Sequence, residues 1–214
     1  MTLRLRDATS HDLDAILELN RMAGVSVAAI DRAALAGCFA TAAYFRVAEI
    51  DDGLAAFLIG TDQAGCDGNA GFAWFQQRHP AFAYIDRIVV AEPFRGHGLG
   101  RVLYTDLISF AEVRVPVLGC QVSLEPRDQA SLLFHASLGF QEVAQLAGPD
   151  GRRLGVMERQ LCSFDFVREQ YLGDGRSGLP SLPWLAERSR QPSGRPLLTG
   201  CSWCIKSRIL NSDR

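Results

Sequence analysis

Apolar and polar residues follow one another along this chain with two different periods, and changes of period mark the predicted elements. Two apolar runs, 44–50 and 54–61, flank Asp51-Asp52-Gly53, which predicts a β-hairpin because aspartate and glycine suit a tight turn. Residues 140–161 predict a second hairpin around a Gly-Pro-Asp-Gly turn. The two-residue period or an unbroken apolar run predicts further strands at 2–6, 83–91 and 117–124. Helical spacing predicts helices from the capping residues Ser10 and Asp31 to about Met22 and Ala43, and at 99–114 and 129–138.

The order of these elements predicts the fold class. Strands interleaved with helices favour an α/β (α+β) three-layer fold, with a mixed central sheet flanked by helices, over residues 1–161. Residues 62–71 are predicted to be a loop, and 72–82 a short helix or an ordered loop. From Cys162 the periodicity fades and proline, glycine and serine accumulate. We therefore expect an irregular tail over 162–214, whose role the sequence does not indicate.

Composition narrows the function classes. The chain has 214 residues, of which 48% are hydrophobic, and its net charge is −2. Residues 1–161 hold 14 arginines, no lysine and 19 acidic residues. This mildly acidic domain argues against nucleic acid as the main partner and suits an amine substrate. No apolar run is long enough to span a membrane and Met1–Asp7 lacks a signal segment, so we expect no membrane association and a cytoplasmic location. A monomer and a homodimer both stay open.

The pattern of cysteines predicts neither a disulfide bond nor a metal site. Six cysteines are scattered through a chain large enough to fold without disulfides, so reduced thiols are expected. Cys201 and Cys204 form a lone C-x-x-C, without the two further ligands that a zinc site needs. We expect no metal cofactor.

The segment Arg95-Gly96-His97-Gly98-Leu99-Gly100 lies between a predicted strand and a predicted helix. Backbone N–H groups at such a helix start bind phosphate with the help of the helix dipole. The segment lacks the Gly-Lys-Ser/Thr ending of a P-loop, and its third glycine comes one residue too early for the dinucleotide motif. A tight turn without a ligand is the alternative, but three glycines in five residues favour a phosphate-binding loop.

Two motifs together resemble one family. Arg-x-x-Gly-x-Gly after a Val/Ile strand resembles the coenzyme A pyrophosphate loop of the GNAT superfamily of N-acetyltransferases. About thirty residues later, the stretch from Asp128 to Phe140 resembles that family's Asn/Asp-x-x-Ser helix and its aromatic Gly-Phe ending. The resemblance covers residues 2–161. It implies a GNAT-like fold and transfer of an acetyl group from acetyl-CoA to a primary amine of a small molecule or peptide. A protein N-terminus or lysine is an alternative acceptor, and an acyl-CoA-binding sensor with little turnover is an alternative function.

The resemblance also implies which residues hold acetyl-CoA. The backbone of the strand before the loop pairs with the pantetheine arm in this family, its N–H groups also serving as oxyanion donors, and the loop binds the pyrophosphate. Carried over residue by residue, the predicted cofactor-binding residues are Ile88, Val89, Val90, Arg95, Gly96, His97, Gly98, Leu99, Gly100, Arg101, Ser131 and Phe134.

Asp86 is the candidate general base, directly or through water. It interrupts an apolar strand, where burying a charge costs free energy unless the charge is paired or has a function. Family members often carry a carboxylate in this region, more commonly glutamate. The alternative is a structural ion pair. Because adjacent residues of a strand point to opposite faces, we expect Asp86 not to pair with Arg87.

His135 is the candidate acid for the leaving thiolate. It stands where many family members carry a tyrosine with that role, and an imidazolium can donate a proton near neutral pH. The alternative is a histidine packed against Phe134 and Leu138. Tyr84 and Tyr104 are fallback donors.

Aromatic residues precede the candidate base, where this family places its acceptor-binding loops. An aromatic pocket would suit an apolar or cationic amine, and ordinary core packing is the alternative for most of these rings. The candidate acceptor-binding residues are Trp74, Phe75, Phe82 and Tyr84.

Overall fold

A single mixed sheet of seven strands organises the computed structural model, which describes residues 2–24, 27–65, 69–148, 151–167 and 169. The strands are β1 (Leu3–Asp7), β2 (Tyr44–Ile50), β3 (Gly53–Asp62), β4 (Ala83–Val90), β5 (Val117–Ser123), β6 (Gln141–Ala147) and β7 (Arg153–Gln160). Their spatial order is β1-β2-β3-β4-β5-β7-β6. Neighbouring strands are antiparallel except β4 and β5, which are parallel. The mixed sheet is the one that the sequence predicted.

Helices cover both faces of this sheet. They are α1 (Leu13–Met22), α2 (Arg32–Thr41), α3 (Ala70–Arg78), α4 (Leu99–Ala111) and α5 (Gln129–Ser137). Later in the chain comes one more helix, α6 (Ser163–Val167). A Cβ on Gly119 of β5 would overlap Phe75 of α3, whereas the next residue, Cys120, interacts electrostatically with Tyr104 of α4. Successive strand residues point to opposite faces, so α3 and α4 lie on opposite sides and the domain has three layers.

The core beneath α1 and α2 fixes the position of β4. Its buried side chains come from both helices and from the centre of the sheet, and they are Leu13, Ile16, Leu19, Leu35, Phe45, Val47, Phe57, Ile59 and Val89. Burying each large apolar side chain stabilises the fold by about 1.5–3 kcal/mol. Val89 belongs to this cluster, which anchors the second half of β4 against α1.

Most predicted boundaries hold to within a few residues. In the first hairpin, Asp51 and Asp52 have φ of +48° and +64°, as a turn of that length requires. The Asp31 carboxylate accepts a hydrogen bond from the Ala34 N–H and caps α2, as predicted. The cap at Ser10 is wrong: Thr9 precedes a short 3₁₀ turn there, and its N–H and hydroxyl both donate to the Asp12 carboxylate.

The chain divides into two units, Met1–Leu161 and Cys162–Arg214. In the second unit the structure describes α6, and residues 170–214, with Cys201 and Cys204, lie outside the described residues. Among the described residues, Cys120 is a buried thiol and Cys162 an exposed one. In the described part of the chain no helix is long and apolar enough to cross a membrane, and no group of three acidic, histidine or cysteine residues is arranged to hold a metal ion.

Candidate active site

Strands β4 and β5 lie side by side only where they begin. Ala83 pairs with Leu118 and Tyr84 with Gly119, and the two described strands form no pair beyond these. From there β4 continues along β3 and β5 continues along β7. The strands therefore part, and one backbone edge of β4 faces the resulting cleft. Such an edge can bind an extended ligand that carries amide groups, which then acts as an additional strand.

The glycine loop connects the end of β4 to the first turn of α4. Gly96 and Gly98 have φ of +79° and +83°, a conformation that favours glycine. The side chain of Arg95 donates from Nε to the Val90 carbonyl at 3.0 Å, and His97 Nδ1 donates to the Arg95 carbonyl at 2.9 Å. These bonds hold the loop against the end of the strand. The loop thus presents the positive end of a 13-residue helix to solvent, as a phosphate site requires.

Helix α5 adds a third wall beside this loop. A Cβ on Gly100 would lie 3.5 Å from the ring of Phe134 and 3.9 Å from Ile88 Cδ1. Arg101 Nη2 donates to Ser137 Oγ at 3.0 Å, which links the first turn of α4 to the last turn of α5. Ile88, Gly100 and Phe134 therefore lie close together, although they come from three separate elements. The sequence had assigned all three residues to the same ligand.

The other predicted cofactor residues have different surroundings. Val89 packs into the core beneath α1, so its backbone rather than its side chain is available to a ligand. Val90 is half-buried, and Leu99 is buried as the first residue of α4. Ser131 lies in the first turn of α5, where its N–H donates to the capping carboxylate of Asp128 at 2.9 Å.

Asp86 lies at the point where β4 leaves β5, and it forms the ion pair that the sequence argument excluded. Arg87 Nε donates to Asp86 Oδ2 at 2.6 Å. The register explains the error: Gly60 of β3 pairs with Ile85 and Ile59 pairs with Arg87, so Asp86 is an extra residue in a β-bulge. A bulge breaks the alternation of side chains between the two faces, and neighbouring side chains can then meet.

His135 lies under α4, with both ring nitrogens bonded inside the protein. Its Nδ1 is 2.7 Å from the Ser131 carbonyl, and its Nε2 is 2.7 Å from the Tyr104 hydroxyl. A carbonyl only accepts, so Nδ1 carries the proton and Nε2 accepts from Tyr104. Burial lowers the pKa of His135, and burial raises the pKa of Tyr104 well above its ordinary value. Both groups are therefore neutral near pH 7, which does not favour the acid role predicted for His135.

A family model identifies the chain. The model, described as "Acetyltransferase (GNAT) family", matches residues 23–140, which is more than half of the chain and includes the cleft, the loop and α5. The chain belongs to the GNAT acetyltransferase family. It is an acyltransferase of the N-acetyltransferase type, as the motifs predicted. No curated protein matches this sequence.

Solved structures share the fold of this GNAT acetyltransferase. Ard1 from Thermoplasma volcanium is 18% identical with a TM-score of 0.62, and the alignment covers 75% of this chain and 99% of that one. The ribosomal-protein-S18-alanine N-acetyltransferase from Escherichia coli is 19% identical with a TM-score of 0.57, covering 75% and 94%. The structure of yncA from Salmonella typhimurium, solved with its cofactor acetyl-CoA, is 21% identical with a TM-score of 0.56, covering 75% and 95%.

The residues of this GNAT acetyltransferase fit acetyl-CoA. The edge of β4 beyond Tyr84 suits the amide-bearing pantetheine arm, and the loop at the start of α4 suits the pyrophosphate. Both features meet at Val90, where the Arg95 side chain ties the loop to the strand. The structure thus supports acetyl-CoA as the co-substrate.

Three of the four predicted acceptor aromatics are buried in the core. Phe75, Phe82 and Tyr84 are fully buried and pack, with Phe72, into a core cluster beneath α3. Phe75 is 5.5 Å from Phe82 and 5.7 Å from Tyr84, measured between ring centroids. These three rings therefore pack as core residues, the alternative that the sequence had left open. Trp74 is half-buried, with the guanidinium of Arg78 over its ring at 4.3 Å.

Two contacts around the candidate site of this acetyltransferase were missed by sequence reasoning. One is the contact of Arg87 with Asn20 and Ala28, which bring α1 and the segment after it to the bulge. The other is the pairing of Tyr104 with His135. A signal existed for the second: Tyr104 is a hydroxyl on the buried face of a helix, and such a group needs a partner. The contact of Arg87 depends on the bulge, and the sequence of β4 contains no residue pattern that predicts a bulge.

Proposed function

We propose that this GNAT acetyltransferase transfers the acetyl group of acetyl-CoA directly to a primary amine of a small molecule or peptide. The parting of β4 and β5 beside the glycine loop carries the proposal, because it joins an open strand edge to a phosphate site. Acetyl-CoA supplies an activated thioester when it is bound. Transfer forms a bond between the amine nitrogen and the acetyl carbon and breaks the C–S bond, so coenzyme A leaves as a thiolate, which takes up one proton for the one that the amine has lost. The chain has to hold that thioester, take a proton from the amine and stabilise negative charge on the reacting oxygen.

Three parts of the chain hold the co-substrate in this proposal. Backbone N–H groups from Gly96 to Gly100 bind the pyrophosphate at the start of α4. The backbone from Ile88 to Val90 pairs with the pantetheine arm. Phe134, which contacts Gly100 and lies near Ile88, covers the arm from the α5 side. N–H groups of the same strand stabilise the developing oxyanion in this proposal.

Asp86 takes the proton of the amine in this proposal. An α-amine has a pKa of about 8 and a lysine amine of about 10.4, so either is mostly protonated at neutral pH. A positioned base is worth about 10²–10⁴-fold in rate. Asp86 is a mostly buried carboxylate at the start of the cleft, held by Arg87. It accepts the proton directly or through one water.

A second candidate function is an acyl-CoA-binding sensor with little turnover. The surroundings of His135 favour it, because a neutral imidazole bonded at both nitrogens supplies no proton to a leaving thiolate. Transfer to a protein N-terminus or lysine is a further acceptor class. The sensor and the enzyme differ in turnover, and the acceptor classes differ in which amine is consumed.

Calorimetric titration of acetyl-CoA tests the co-substrate site. The wild type is expected to bind with micromolar affinity, and Gly98→Glu to lose binding because a carboxylate at the helix start repels the pyrophosphate. Gly151→Glu is the matched control: Gly151 also has a positive φ (+77°) and open space around it, but lies in the last hairpin. Absence of binding to the folded wild type, or equal loss in both variants, would contradict the assignment.

A defined amine panel then tests turnover and acceptor class. Tyramine, spermidine and a tetrapeptide with a free N-terminal alanine are each incubated with acetyl-CoA, and free CoA thiol is measured. Acetylation of at least one amine is expected. Binding of acetyl-CoA without acetylation of any of them would contradict transfer to this substrate class and favour the sensor.

A further inference from the structure

Arg87 joins three separate parts of the molecule at the candidate base. Its Nε donates to Asp86 at 2.6 Å, and its Nη1 donates to Asn20 Oδ1 and to the Ala28 carbonyl, each at 3.1 Å. Asn20 lies near the end of α1, and Ala28 lies in the segment that leads to α2. A single guanidinium therefore connects the bulge of β4 to α1 and to the segment 27–31.

The side chains of this network are mostly buried, whereas Ala28 is exposed. Asn20 is 3% exposed, and its Nδ2 also donates to the Ala28 carbonyl at 3.3 Å. The side chains of Arg87 and Asp86 are 10% and 13% exposed. A buried charge is tolerated when it is paired and hydrogen-bonded, and here Asp86 supplies the opposite charge. The planar fork of arginine bonds several acceptors at once, which a lysine does not.

The network also defines one side of the path to Asp86. Two nitrogens of one guanidinium contact Asp86 and Ala28, so the segment 27–31 lies one guanidinium away from the candidate base. Arg87 pairs in register with Ile59, which belongs to the core beneath α1 and α2. The segment therefore borders Asp86 on the α1 face of the sheet, while Ile88 meets α4 and Phe134 on the other face.

Resting on the proposed function, we propose that Arg87 is a positioning residue for the acceptor amine. It holds the Asp86 carboxylate in one orientation and ties the segment 27–31 beside it, so that the amine meets the base in a fixed geometry. Arg87 takes no proton and contacts no co-substrate. Its loss is expected to affect the acceptor and to leave acetyl-CoA binding alone.

The test compares Arg87→Met with Arg46→Met in steady-state kinetics. Arg46 is a matched control, because its side chain is 13% exposed and pairs with Asp106 at 3.2 Å, on β2 and away from the bulge. Acetylation is measured with the fastest amine of the panel of tyramine, spermidine and the alanine peptide. Arg87→Met is expected to lower kcat/KM for that amine about a hundredfold, because a misplaced base costs about that much. Arg46→Met is expected to change it less than about threefold.

Further readouts separate positioning from a general loss of structure. The Kd of acetyl-CoA, measured by calorimetry, should change less than about threefold in Arg87→Met. Arg87→Lys restores the positive charge but not the planar guanidinium that bonds several acceptors. The kcat of this variant should therefore return closer to its wild-type value than the KM of the amine does. Equal kinetic loss in Arg87→Met and Arg46→Met, or an unchanged KM and kcat in Arg87→Met, would overturn the inference. A wild type that binds no acetyl-CoA or acetylates no panel amine would overturn the proposed function itself.

Discussion

Removing the hydroxyl of Tyr104 tests the buried pair that joins α4 to α5. Tyr104 is 1% exposed and His135 is 5% exposed, and the hydroxyl donates to Nε2 at 2.7 Å. Tyr104→Phe keeps the ring and leaves Nε2 buried without a donor, which costs about 1–3 kcal/mol. In a domain of this size 1 kcal/mol shifts Tm by about 2–4 °C. A loss of about 2 kcal/mol therefore lowers Tm by about 4–8 °C.

Thermal unfolding followed by circular dichroism at pH 8 measures this effect in a double-mutant cycle. The double variant Tyr104→Phe/His135→Leu should lose less free energy of unfolding than the two single variants lose in sum. The difference should be about 0.5–3 kcal/mol, because the double variant leaves neither partner of this bond buried alone. Tyr84→Phe is the control: its hydroxyl is equally buried but donates to Asn69 beside α3, so it should add to His135→Leu within about 0.5 kcal/mol. Additive losses for the Tyr104 pair, or a Tm of Tyr104→Phe within about 1 °C of the wild type, would refute the reasoning.

Three further predictions concern pH, the base and the acid. Burial lowers the pKa of His135 from its ordinary value of about 6.5, so the folded chain favours the neutral imidazole. The Tm should therefore fall as the pH drops from about 7 through 6.5 toward the folded-state pKa, and it should fall by a smaller amount in His135→Leu. Asp86→Asn should keep the Kd of acetyl-CoA and lower kcat about 10²–10⁴-fold, most strongly at low pH where the amine is protonated; an unchanged pH profile of kcat would remove Asp86 from the mechanism. His135→Leu should keep kcat within about tenfold at temperatures where it is folded, whereas a loss of about 10²-fold or more would support the acid role of His135.

The sequence predicted the parts of this fold that depend on local patterns. Both hairpins, the glycine loop and the cap at Asp31 depend on residues close together in the chain, and the structure contains them. The family motifs, rather than periodicity, assigned Gly100 and Phe134 to one ligand, and the two residues lie side by side. Cofactor and catalytic assignments stay predictions, as do the cytoplasmic location and the oligomeric state.

The remaining features depend on tertiary contacts. The pairing of Asp86 with Arg87 requires a bulge, and a bulge is set by the register of two strands rather than by the residues of one. The partners of His135 come from α4 and from the preceding turn of its own helix, and together they turn a histidine suited to acid chemistry into a neutral buried group. The burial of Phe75 and Phe82 follows from the packing of α3 over Gly119, whose missing side chain makes room for the Phe75 ring.

The parting of β4 and β5 also has a consequence for how long the protein persists. The backbone ladder of the sheet is divided into β1–β4 and β5–β7–β6, joined through two residue pairs. A ligand that lies along β4 binds the folded chain and not the unfolded one, so its binding free energy adds to the free energy of unfolding. At a ligand concentration of one hundred times Kd the gain is about 2.7 kcal/mol. The resistance of this acetyltransferase to proteolysis should therefore rise and fall with the supply of the molecule that completes its sheet.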